Sequence, residues 1–90
     1  MSRIQITRPH SLNEQELRSL GEKLAEKLVS RLGGQCQWQG NRFVYQQSGV
    51  NAQVDLNPSE VVVDVKLGML MGAFTGTVES EINRVLDQYL

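Results

Sequence analysis

A single cysteine, Cys36, leaves this chain nothing to form an internal disulfide with. That fits a reducing compartment, and the sequence leads us to expect a cytoplasmic protein. The opening Met-Ser-Arg-Ile-Gln-Ile-Thr lacks the apolar core of a secretion signal. No apolar run reaches the ~18–20 residues that span a bilayer, so no membrane span is expected. There is one histidine, His10, and it has no neighbouring nucleophile or carboxylate at the spacing of a catalytic triad. No CxxC, HxxxH or carboxylate cluster of metal-ligand spacing occurs. The phosphate-loop pattern GxxxxGK[ST] is missing as well, because the glycines of Gly68-Met69-Leu70-Met71-Gly72 come without the lysine. Nor is there an excess of positive charge. The net charge is −1, which argues against a general nucleic-acid binder, since phosphate neutralisation needs clustered Lys and Arg. With no acid, base or nucleophile constellation, an enzyme is not expected, and no cofactor is implied.

What is present is ordinary globular material: 90 residues, 40% apolar and 21% charged, enough for one domain over residues 1–90 with one modest core. Ile4 and Ile6 alternate with polar residues and predict a short half-buried strand, ended by Pro9. Ser11-Leu-Asn-Glu14 has the capping-box pattern and predicts a helix start. Leu17, Leu20, Leu24, Leu28 and Leu32 then form one apolar face, with Gly21 and Ala25 among them. Gly21 on that stripe predicts close packing against a bulky group such as Trp38. Gly33-Gly34 supplies the stop.

Three turn signals follow, and each fixes a register independently. Gly40-Asn41 as a two-residue turn sets Trp38 opposite Phe43 and Cys36 opposite Tyr45. Ser48-Gly49 sets Phe43 opposite Val54 and Tyr45 opposite Ala52. The four residues 57–60 set Leu56 opposite Val61, Val54 opposite Val63 and Ala52 opposite Val65. All three readings turn the same parity inward, and a one-residue slip would reverse a strand. The other face carries Gln35, Gln37, Gln39, Gln46, Gln53, Asp55, Asp64 and Lys66, and is expected to be wet.

The last segment has an apolar stripe at Leu70, Phe74, Val78, Ile82, Val85 and Tyr89. On a continuous helix Gly72, Gly76 and Ser80 would line the opposite side and permit close backbone approach. The alternative is that Gly72 and Gly76 break the segment, with the main helix starting near Gly76–Thr77. The cost of two glycines in a helix interior favours the break.

Each candidate for chemistry also has a structural reading. His10 is expected to be an exposed loop residue. Cys36 has inward parity and is expected to be a buried, inert thiol. Asp55 and Asp64 share a sheet face and could form a carboxylate pair, but Lys66 and open solvent favour a solvated face. Trp38, Phe43 and Tyr45 could stack bases, but their parity makes them core. Met69 and Met71 are adaptable apolar groups straddling Leu70, so both cannot join its helix face. Met69, Met71, Gly72 and Gly76 are the candidate interaction surface, with simple core filling by the methionines as the alternative.

The order of features resembles the polyhydroxyalkanoic acid system family of small bacterial proteins from polyester storage-granule loci. The resemblance rests on Ile-Thr-Arg-Pro-His-Ser-Leu, the Leu-striped helix, Gly-Gly-Gln-Cys-Gln-Trp-Gln-Gly-Asn, Gln-Ser-Gly-Val, Val-Lys-Leu-Gly-Met-Leu and Gly-Thr-Val-Glu-Ser-Glu-Ile. It covers nearly the whole chain, through turn and core residues, and supplies no catalytic residues. It implies a granule-associated accessory protein that acts by binding a protein partner, the polyester granule surface or its own copy. The expected fold is α+β, in the order β-α-β-β-β-β-α. A five-stranded, mainly antiparallel sheet carries two helices packed on one face, with the first strand beside the last. The rival reading is a small carrier of apolar ligands with a helix–sheet cavity lined by Trp38, Tyr45 and Phe74.

Overall fold

The structure, a computed structural model, describes residues 2–68, 73 and 75–90. Five strands and two helices alternate as expected: β1 (Ser2–Pro9), α1 (Glu14–Leu32), β2 (Gln35–Gln39), β3 (Arg42–Gln47), β4 (Val50–Leu56), β5 (Glu60–Leu67) and α2 (Thr75–Tyr89). The sheet order is β1-β5-β4-β3-β2, and every neighbouring pair is antiparallel. The first strand thus closes the sheet against the last, with Ile4 opposite Val65 and Ile6 opposite Val63. β2 to β5 are joined by turns, and among the strand pairs β1–β5 joins parts of the chain distant in sequence.

The three turn-derived registers hold: Trp38 faces Phe43, Tyr45 faces Ala52, and Val54 faces Val63. Gly40 is the first residue of its turn, at φ 64, while Asn41 keeps a negative φ. Glycine at that position matches the strand twist at no steric cost. The inward parity builds one core. Phe43, Tyr45, Val50, Val61 and Val65 are completely buried, beneath Leu20 and Leu24 of α1 and Ile82, Val85 and Leu86 of α2. Val50 and Leu67 extend the inward set beyond the turn-derived pairs and face each other across β4 and β5.

The start of α1 differs from expectation. The N-cap is Asn13, not Ser11: Asn13 Oδ1 accepts from the Glu16 amide at 2.8 Å and Glu16 Oε1 accepts from the Asn13 amide at 3.0 Å. This register puts Leu12 and Leu17 at the two positions of a hydrophobic staple. Both pack on the core, Leu17 buried and Leu12 partly so. A cap at Ser11 would place His10 and Gln15 there instead, with nothing apolar to clasp. At the other end Gly33 (φ 75) and Gly34 (φ 89) stop the helix. A β-carbon on Gly34 would lie 2.6 Å from the Gln46 carbonyl oxygen, so the chain can pass there only as glycine.

Gly21 has the role its place in the stripe predicts. An added β-carbon would meet Leu56 Cδ1 at 2.5 Å and Trp38 Cη2 at 2.9 Å. α1 therefore seats directly on β2–β4, and α2 lies beside it toward β1. Arg31 of α1 pairs with Glu81 of α2 at 3.0 Å, and Arg8 of β1 pairs with Asp87 at 2.9 Å. The helix starts at Thr75, so Gly76 sits in its first turn. Met69, Leu70, Met71, Gly72 and Phe74 lie outside the described residues.

Candidate functional site

Of the four residues expected to form an interaction surface, Met69, Met71 and Gly72 fall outside the described residues, and Gly76 is exposed in the first turn of α2. Among the described residues, a β-carbon on Gly76 would meet nothing within 4 Å, so their packing does not require glycine there. The segment leaves the sheet at a fixed point: the Gly68 amide donates to the Gly49 carbonyl at 2.7 Å, beside the β3–β4 turn. Leu90, at the end of α2, is 40% exposed.

The polar groups that looked capable of chemistry are each tied to a structural partner. His10 is half-buried rather than an exposed loop residue. Its Nδ1 accepts from the Leu12 amide at 3.0 Å, which fixes the proton on Nε2, and Nε2 donates to the Asn57 carbonyl at 2.7 Å. The His10 amide adds a bond to the Ser59 carbonyl at 3.0 Å. Three bonds thus clip the β1–α1 connection, the β4–β5 turn and the entry to α1 together. The sequence signal for this was Pro9, which ends the strand and sets His10 where it reaches the turn.

The two aspartates do not pair. Asp64 takes a two-pronged contact from Arg3 of β1, with Nε to Oδ1 at 3.0 Å and Nη2 to Oδ2 at 2.7 Å. These hydrogen bonds hold the Asp64 carboxyl below its ordinary 3.8, against the opposing effect of burial, and they raise the Arg3 guanidinium above its own ordinary value. Asp55 is engaged by Arg42 Nε across the β3–β4 pair. Each carboxylate therefore carries its own arginine on the open sheet face.

Cys36 is half-buried, not fully buried as its parity suggested, and desolvation pushes its thiol above its ordinary value. Trp38 is also only half-buried. Both lie on β2, the edge of the sheet, where inward parity has no further strand to close over it. Trp38 packs against Phe43 (ring centroids 5.0 Å apart), and the Arg18 guanidinium covers its outer face at 3.8 Å. Tyr45 is buried, and its hydroxyl donates to the Gly33 carbonyl at the end of α1. Burial, followed by the nearby Cys36, raises its ionisation above the usual value.

Two depressions adjoin α1. An open groove runs between the N-terminal half of α1 and the turns at Asn41 and Pro58, and it is ringed by Glu14, Gln15, Arg18 and Glu22. A cleft of about 170 Å³ lies between the helices, floored by Leu24, Leu28, Val78 and Ile82 and rimmed by Lys27 and Arg31. Neither is lined by Trp38 or Tyr45, the residues that a carrier cavity would need. Among the described residues, no group of three or more His, Cys, Asp or Glu is placed to hold a metal, and no helix is long and apolar enough to cross a membrane.

Fold and site together define a small one-sheet α+β domain whose histidine and sheet-face carboxylates serve its architecture. Residues 4–90 match the family described as "putative polyhydroxyalkanoic acid system protein", and the chain belongs to that family. No curated protein and no solved structure matches the chain.

Proposed function

We propose that this chain is a non-enzymatic accessory protein of a bacterial polyhydroxyalkanoate system, working in the cytoplasm by binding granule components or protein partners. The family match across residues 4–90 carries the reading. The geometry supports it: His10, Asp55, Asp64 and the Tyr45 hydroxyl are all engaged in holding loops, strands and helix ends. The contact surface in this reading is the Met69–Gly76 segment, where adaptable apolar groups stand next to small residues. The carrier alternative has less support, since neither the open groove beside α1 nor the cleft between the helices is lined by Trp38 or Tyr45.

The test is a pull-down with the tagged chain from polyester-accumulating cells, with and without granules, beside the double variant Met69→Glu with Met71→Glu. The expected result is capture of granule components by the parent chain and their loss from a variant that keeps its circular dichroism spectrum. An unfolded variant would make the methionines core. A folded variant that still captures granule components would move the contact elsewhere.

A further inference from the structure

The sheet has two open edges, and they are built differently. β1 carries Arg3 and Arg8, ends in Pro9, and is flanked by α2. Charges, proline and a covering helix are the usual guards against another strand adding on. β2 is Gln35-Cys36-Gln37-Trp38-Gln39, with no charge and no proline. Among the described residues, no backbone hydrogen bond beyond the β2–β3 ladder engages it.

Which backbone groups face outward follows from the hairpin. A two-residue turn makes its flanking pair, Gln39 and Arg42, hydrogen-bonded to each other, and bonded pairs then alternate. Gln35, Gln37 and Gln39 therefore spend their N–H and C=O groups on β3. Those of Cys36 and Trp38 point out of the sheet. Their side chains are also of inward parity yet only half-buried, as Ile6 is on β1. Val29, 39% exposed, lies about three turns beyond Arg18 on nearly the same side of α1, and Arg18 sits over Trp38. Free backbone groups, half-buried side chains and an exposed valine thus share one edge.

We propose that β2 pairs antiparallel with β2 of a second copy of this chain, about a two-fold axis through Gln37, joining two five-stranded sheets into one. The strand is complementary to itself in this register. Cys36 faces Trp38 of the partner copy and exchanges both outward backbone bonds with it, and the two-fold repeats the exchange. Gln37 faces its own copy, and Gln35 faces Gln39, so the open side of the seam is a row of amides that both donate and accept. No like charges meet. The helix side sets the thiol against the indole, covering both. Gly34 and Gly40 flank the strand and bring no side chain into the seam. A two-fold seam demands that one patch suit itself, and β2 meets that demand where the arginines of β1 do not. The inference goes beyond the proposed function, which places the contact with other components at Met69–Gly76, by adding self-association at the sheet edge.

Sedimentation of the purified chain over a concentration series should show its 10.1 kDa mass rising toward twice that value. A chain that stays monomeric up to its solubility limit overturns the proposal, and leaves the granule reading untouched because no granule is present. The register has its own test. With Cys36→Ser as background, Gln37→Cys places two thiols directly opposite, at the ~4.5 Å Cα separation of a non-bonded antiparallel pair, within disulfide reach. Mild oxidation should yield a covalent dimer from Gln37→Cys and not from Gln35→Cys in the same background. Equal crosslinking at both, or none at either, overturns the register. Gln37→Lys and Gln37→Glu should each weaken the dimer at least about fivefold, the factor one like-charge contact in water supplies. Mixing the two should restore it, and a dimer indifferent to both places the seam elsewhere and overturns the proposal.

Discussion

Gly21 is where one missing carbon decides the helix–sheet distance. Alanine there would gain about 1 kcal/mol of helix propensity. Its β-carbon would also press on the buried Leu56 at 2.5 Å and on Trp38 at 2.9 Å. Overpacking of a filled core costs roughly 1–3 kcal/mol, so Gly21→Ala is expected to lose about 1 kcal/mol net by urea denaturation. A gain would mean that α1 does not seat on Trp38. His10→Ala removes two side-chain hydrogen bonds at the β1–α1 clip, and at about 0.5–1.5 kcal/mol each the expected loss is about 2 kcal/mol in the same assay. A variant as stable as the parent would show that the clip holds nothing. Asp64 gives the pH dependence. Its folded carboxyl ionises below the ordinary 3.8, so its contribution is complete above that value and is lost as pH falls through the folded one. The pair is solvent-exposed, so screening keeps the effect small. Asp64→Asn should slightly flatten the acid limb of the stability profile, and an unchanged limb would contradict the assignment.

At the scale of elements, the hairpins were legible because a two-residue turn leaves no freedom in register, and three turns in sequence had to agree. The start of α1 was not, because two capping-box patterns overlap within 11–16. Ser11-x-x-Glu14 and Asn13-x-x-Glu16 are equal as patterns, and the choice falls to the apolar staple that only the second one closes. Cys36 and Trp38 show a different limit: parity says which face a side chain takes, whereas strand order says whether anything covers it. Their half-burial comes from β2 being an edge. His10 was misjudged because its partner, Asn57, is distant in sequence and reached only through the β1–β5 pairing. For α2, the start at Thr75 puts Gly76 in the first turn, where none of the described residues would meet a β-carbon. Gly76→Ala should therefore raise stability by up to about 1 kcal/mol. A loss by thermal or urea melting would mean that Gly76 meets a backbone beyond the described contacts.

The molecule as a whole is one antiparallel sheet, covered on one side by two helices and wet on the other, with His10, Asp55, Asp64 and the Tyr45 hydroxyl engaged in structure. The fold was readable because periodicity, turns and caps pointed the same way. The proposed site was not, because a contact made of apolar and small residues would leave no motif of the kind that catalysis or metal ligation leaves. The proposed binding to polyester granules is tested most directly by the distribution of the chain inside cells. The measurement is the fraction of chain recovered with the granule layer on a density gradient, from cells grown with and without polyester accumulation. The account predicts enrichment in that layer only when polyester is present, reduced by Met69→Glu with Met71→Glu in a chain that remains folded. A chain found equally outside the granule layer under both conditions, with no granule component bound to it, would contradict it.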